Sequence, residues 1–193
     1  DRTGELDGKV WDKAIELDGY FRKGDIVYIV GRLLSYKNNL QLSVLEVRKM
    51  GEDDVDPADF FPTAARDADD MFSDLMVYVG QIQTSCLRDL LLAFFADEQI
   101  VARFKRAPAA KGFHHVYLGG LLEHTLSVVR LLDLAAAHYP GANRDLLIAG
   151  GILHDIGKIH EFHYDRLIDY SDAGRLVGHI VMGVEMLDAR IAG

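Results

Sequence analysis

The sequence predicts an α+β chain whose two kinds of structure are segregated: a small β-barrel first, then an all-helical bundle. Three observations predict it. The first fifty residues are dense in β-branched and aromatic residues punctuated by Gly19, Gly24 and Gly31. Gly51 to Asp70 holds two of the chain's four prolines and a run of acids, and reads as a connector. From Met71 onward the apolar residues recur with a helical period.

Each element follows from local pattern. Asp25 to Leu34 (DIVYIVGRLL) and Leu40 to Val47 (LQLSVLEV) read as strands. Between them, Tyr36-Lys37-Asn38-Asn39 suits a tight hairpin, because an Asn-Asn pair tolerates positive φ. Lys9-Val10-Trp11 is a shorter strand candidate, and strands this close together suggest a small antiparallel barrel. In the connector, Phe60, Phe61 and Pro62 form the apolar cluster expected to pin it to a neighbouring surface. Helices are expected near 71–83, 86–96, 98–105, 119–138, 144–157 and 173–190. Ser85 and Asn143 are expected N-caps, and Gly157 an expected stop.

Composition narrows the class. The chain has 193 residues, 49% hydrophobic and 26% charged, as in soluble globular proteins. Its net charge of −9 is uneven: residues 1–50 carry +1, residues 51–70 carry −7 and residues 71–193 carry −3. A polyanionic ligand responds to the local field more than to the total, so the charge neither supports nor excludes RNA. Cys86 is the single cysteine. An internal disulfide and a cysteine-rich zinc site are therefore excluded, and Cys86 reads as a small half-buried helix residue. No apolar run is long enough to span a bilayer and no secretory signal is visible, so a cytoplasmic, membrane-free protein is expected.

The residues that can carry chemistry centre on Gly151-Ile152-Leu153-His154-Asp155-Ile156-Gly157-Lys158. A carboxylate at the C-terminal end of an apolar helix is costly to bury unless it is paired or bound to a metal. Lys158 can supply the pairing cation; alternatively a metal lies between Asp155, His154 and His124. His124 falls on the stripe Leu121, His124, Val128, Leu131, Ala135, and His179 on the stripe Leu176, His179, Ile180, Gly183, Leu187. Each inward histidine alone is more often a hydrogen-bonded core residue than a ligand. Three of them with one inward Asp are harder to dismiss. His114, His115, His160 and His163 are substrate or supporting candidates, whereas His138 suits the end of its helix. Arg103, Lys105, Arg106 and Lys111 form a basic cluster that is either a solvated helix end or a phosphate-tracking patch. In the β region Trp11, Phe21, Tyr28 and Tyr36, beside Arg22, Lys23, Arg32 and Lys37, are candidates for stacking bases and holding phosphates.

His124 followed by His154-Asp155 resembles the His…His-Asp pattern of the HD phosphohydrolase superfamily. A longer text is narrower: Pro108-Ala109-Ala110, His114-His115, Gly119-Gly120-Leu121-Leu122-Glu123-His124-Thr125, then His154-Asp155-Ile156-Gly157-Lys158. It is similar to the YhaM-type 3′–5′ exoribonucleases, which join an OB-fold to an HD domain. Asp1-Arg2-Thr3-Gly4-Glu5 and Lys9-Val10-Trp11-Asp12 look like OB-fold strands, as do the later β segments.

The resemblance implies a partial OB-fold over 1–50, an acidic linker over 51–69 and an HD domain over 70–193. It implies hydrolysis of single-stranded RNA, or DNA, to nucleoside monophosphates, with His124, His154 and Asp155 on a first metal and His179 on a second. Asp155 and Lys158 would be catalytic. His114, His115, Lys111, Arg106, Trp11, Tyr28, Tyr36 and Arg32 would bind substrate. An imidazole-rich shell suits Mn²⁺, Fe²⁺ or Zn²⁺ better than Mg²⁺, and the resemblance favours Mn²⁺. A homo-oligomer is compatible with it. Two departures stand: the first OB strand has no match, and neither does the later Asp, preceded by a His-His pair, that closes the metal site. Asp188 comes too early to be that Asp, so the C-terminal part of the domain is expected to be missing. The alternatives are a nucleotide or cyclic-dinucleotide phosphohydrolase, and a non-catalytic nucleic-acid-binding protein with a decayed HD domain.

Overall fold

In the computed structural model the described residues are 4, 6–11, 14–17, 19–22, 24–36, 39–51, 60, 63–111, 117–164 and 168–192. The chain divides into two compact units, one over 1–61 with 165–167, the other over 62–164 and 168–193. The expectations on Asp1, Arg2, Thr3, Glu5, Asp12, Lys23, Lys37, Asn38, Phe61, Pro62, His114 and His115 lie outside the described residues.

The first unit is built on β1 (Gly8–Val10), β2 (Val27–Tyr36) and β3 (Asn39–Lys49), with a one-turn helix α1 (Ala14–Leu17) after β1. β2 and β3 pair antiparallel from Val27↔Lys49 to Tyr36↔Asn39, with an irregularity at Val30/Gly31. A Cβ on Gly31 would lie 2.6 Å from the Ser43 carbonyl, so only glycine fits the close approach there. Asp25, with a side chain only 3% exposed, receives Lys49 at 2.8 Å and ties the open end of the hairpin.

β1 pairs parallel to β3, on the side away from β2, giving the order β1-β3-β2. The described sheet is therefore mixed, where an antiparallel one was expected. The reason is connectivity: β2 and β3 are joined by a hairpin, whereas β1 is separated from both by a long connection that frees its direction. The class is α+β, as expected.

In the second unit the helices are α2 (Ala68–Gln81), α3 (Ser85–Phe95), α4 (Glu98–Arg106), α5 (Gly120–His138) and α6 (Arg144–Leu153). They are followed by the short α7 (Lys158–Glu161), a two-residue pair β4 (Phe162–His163) and β5 (Asp169–Tyr170), α8 (Asp172–Leu176) and α9 (His179–Ala192). Side-chain caps set the starts: Asp67 accepts from Asp69 and Asp70 N–H, Asp97 from Gln99 and Ile100, and Asn143 from Leu146. The expected cap Ser85 is instead the first helical residue, behind Thr84. Thr84 is held by Asp145, whose carboxylate accepts from its N–H at 2.7 Å and its hydroxyl at 2.8 Å. The core joins Met71, Leu75, Val79, Phe94, Phe104, Leu122, Leu126, Val129, Ile148, Ile152 and Ile156.

Several expectations change here. On α5 the inward seam runs through Leu122, Thr125, Leu126 and Val129, while Leu131 is 64% exposed. The helix expected over 144–157 ends at Leu153, because α7 must turn to meet α9. The helix expected over 173–190 is broken at Gly178, whose φ of +78° ends α8 and starts α9. Cys86 is exposed. Among the described residues no helix is long and apolar enough to cross a membrane.

Candidate metal centre

The N-terminal part of α5, the end of α6 and the start of α9 converge on one carboxylate. α6 is apolar from Leu146 onward and buries Ile148, Ala149, Gly151 and Ile152, which carries Asp155, 6% exposed, into the interior just past its last turn. Asp155 Oδ2 lies 3.5 Å from His124 Nε2 and 3.2 Å from His154 Nε2, and these two nitrogens are 3.4 Å apart. Asp155 Oδ1 faces the other way, 3.4 Å from His179 Nε2. Lys158, one turn on, places its Nζ 2.8 Å from Oδ2.

The ring orientations are set by neighbours. His154 Nδ1 is 2.9 Å from the Gly151 carbonyl, which can only accept, so Nδ1 carries a proton and Nε2 faces the cluster. His179 Nδ1 is 2.9 Å from Glu161 Oε1, which also accepts the His179 backbone N–H at 3.1 Å. Glu161 is 6% exposed, caps the start of α9 and turns His179 Nε2 toward Asp155 in one contact. Burial opposes ionisation of Asp155. The hydrogen bonds from His154 and Lys158 outweigh it and hold the carboxyl well below the usual range. The same carboxylate raises the His154 pKa.

This donor set fits a divalent metal. Bonds of roughly 2.0–2.2 Å put neighbouring ligand atoms roughly 3.0–3.5 Å apart, the spacing found here. His124, His154 and Asp155 each present one ligand atom within 4.8 Å of the others. His179 approaches the second carboxylate oxygen of Asp155.

The other expected site residues fall elsewhere. Lys111 is committed to Asp169 at 2.7 Å and sits over Tyr170. Arg106 lines a cavity of about 440 Å³ with Arg66, Lys105 and Gly119. His160 Nδ1 meets the Arg103 guanidinium at 3.0 Å, and burial followed by that cation lowers its pKa. His138 packs edge-on against Tyr139. In the β unit, opposed residues share a sheet face. Tyr28 (opposite Arg48) and Arg32 (opposite Ser43), an even number of residues apart on the continuous strand β2, therefore share one face; the side chain of Tyr36 lies outside what is described. Trp11 lines a cavity on the Ser43 face.

Sequence reasoning missed Glu161. Its signal is a glutamate three residues after Lys158, between His160 and Phe162, too common a pattern to single out. Tyr117 is also missed. Its hydroxyl donates to Glu123, beside His124, and burial together with that carboxylate pushes its pKa up to about 12.

Residues 121–191, within the helical unit, match the HD domain family. The matched segment contains His124, His154, Asp155 and His179. Over 186 residues, 96% of the chain, it is 33% identical to a curated 3′–5′ exoribonuclease YhaM of Listeria monocytogenes serotype 4b (strain CLIP80459), covering 59% of that relative. It is 32% identical over 181 residues, 93% of the chain, to one named 3′–5′ exoribonuclease YhaM from Geobacillus sp. (strain WCH70), covering 55% of it. The resemblance expected from the motifs is thus found along nearly the whole chain, which spans less than two thirds of these relatives' length. No solved structure matches it.

Proposed function

We propose that this chain belongs to a metal-dependent phosphodiesterase that removes nucleoside monophosphates from the 3′ end of single-stranded RNA in the cytoplasm. Residues 70–193 are the catalytic HD part, 51–69 the connector, and 1–50 a partial OB-fold that holds the nucleic acid. The observation that carries the reading is Asp155: a buried carboxylate with His124 and His154 at one oxygen and His179 at the other. The YhaM-named relatives supply the direction of attack and the choice of RNA.

His124, His154 and Asp155 would hold a first metal, and His179 with Asp155 Oδ1 a second; the imidazole-rich set suits Mn²⁺, Fe²⁺ or Zn²⁺ better than Mg²⁺, and the resemblance to the exoribonucleases favours Mn²⁺. Bound there, the metal would lower the pKa of water and polarise the phosphate. Asp155 contributes a charge that stays ionised through the working range. His154 and His179 keep their Nε2 atoms aimed inward because Gly151 and Glu161 occupy their Nδ1 atoms. Lys158 is paired with Asp155. Released from that pairing, its ammonium is placed to offset charge building on a reacting phosphate. His114, His115, Arg106 and Lys111 are proposed to steer the strand.

The test is 5′-labelled single-stranded RNA incubated with Mn²⁺ or with chelator. A ladder shortening from the 3′ end with Mn²⁺, abolished by chelator and by Asp155→Ala, supports the reading. Preferred hydrolysis of mononucleotides or cyclic dinucleotides would replace it with a small-nucleotide phosphohydrolase. RNA binding with no metal uptake and no cleavage would replace it with a binding module.

A further inference from the structure

We infer that the β unit carries a base-selecting pocket, in which Trp11 stacks a purine of single-stranded RNA and the Gln41 amide reads its edge. This rests on the proposed action on RNA and adds a sequence preference to it. A cavity of about 360 Å³ lies between Lys9, Trp11, Leu34, Gln41 and Ser43. It is at the small end of the ligand-pocket range of roughly 300–1,000 Å³. The strand register explains its lining: Lys9 and Arg32 stand opposite Ser43, and Leu34 opposite Gln41, so these residues share one face.

The chemistry of the lining selects the occupant. Trp11 is 70% exposed and Leu34 50%, a flat apolar wall and floor open to solvent. Lys9 Nζ lies 5.9 Å from the Trp11 ring centroid, and the lining includes no acid among the described residues, so the pocket favours an electron-rich ring carrying a phosphate. Past the irregularity the same face continues to Tyr28, with Arg48 5.3 Å from its ring centroid, while the buried Val44, opposite Gly31, belongs to the other face. Among the described residues the side chains of Gln41 and Ser43 make no hydrogen bond, leaving a carbonyl, an NH₂ and a hydroxyl at the pocket. A carboxamide can pair with both N7 and the exocyclic amine of adenine, which makes adenine the preferred purine.

Trp11 is the only tryptophan, so its fluorescence reports this pocket directly. The chain is titrated, in chelator to prevent cleavage, with oligoadenylate and oligouridylate of equal length. The expected result is quenching by both and about tenfold tighter binding of oligoadenylate, within the range for one bidentate base contact. Gln41→Ala should bring the two affinities within about twofold while keeping the quenching. Trp11→Ala, followed by anisotropy of labelled oligoadenylate, should weaken binding about tenfold. Equal affinities in the unmodified chain, or RNA binding without quenching, would overturn the inference. If the Mn²⁺-dependent ladder persists in that case, the inference alone has failed. If RNA is neither bound nor shortened, the proposed function has failed with it.

Discussion

Asp155 meets three imidazole nitrogens and an ammonium within 3.5 Å, a density of partners that a purely structural carboxylate does not need. Removing it should abolish metal uptake, measured by elemental analysis of Asp155→Ala, while leaving the helical circular dichroism in place. Glu161 acts one step further out. Glu161→Gln keeps an acceptor but loses the charge that polarises His179, and should weaken metal binding at the His179 position about 10- to 100-fold. The His124–His154 position should be little changed, so calorimetric titration should show one step move and one remain. At this scale the sequence is informative where residues are adjacent: His154-Asp155 announces itself. It is silent where the partner arrives through a chain reversal. Glu161 reaches His179 only because α8 and the β4–β5 pair turn the chain back, which no local pattern around either residue encodes.

Among elements, α7 and α9 pack so closely that Gly157 has no room for a side chain: a Cβ would lie 2.1 Å from the His179 carbonyl and 2.7 Å from the Gly183 nitrogen. The sequence predicts a helix stop at Gly157, but its φ of −61° is ordinary and its role is contact. Gly157→Ala should therefore cost about 3 kcal/mol, the upper end for overpacking, and should displace His179. Gly150, in the exposed part of α6, has nothing within 4 Å of where a Cβ would stand. Gly150→Ala should stabilise by about 0.5–1 kcal/mol, the helix-propensity gain. Thermal denaturation of the two variants checks both signs. β5 adds a pH signature. Asp169 is held at about 2 by the Lys111 side chain first, then by the Tyr170 N–H, with Arg175 also near. A depressed carboxyl stabilises the fold fully above its unfolded value of 3.8 and loses that contribution as pH falls toward 2. Asp169→Asn should therefore be less stable to denaturant than the unmodified chain above about pH 4, with the gap closing as pH falls from about 4 to about 2. The helices themselves are legible because their caps and apolar spacing are local. The breaks at Leu153 and Gly178 are not, since they answer to the packing of α7 and α9.

For the molecule as a whole, the two units divide the labour that the proposed reaction needs: a sheet with an exposed tryptophan pocket, and a helical unit with a buried His-Asp cluster. The α+β class and the segregation of the units are legible from residue composition along the chain. The mixed pairing of β1 is not, because a strand this short carries no signal of its direction. If the helical unit assembles a metal centre on His124, His154 and Asp155, titration of Mn²⁺ into chelator-treated protein will register it by calorimetry. Saturable binding of at least one equivalent, lost in His154→Ala and in Asp155→Ala, is the predicted result. Absence of binding in the unmodified chain, or equal binding in all three proteins, would contradict it.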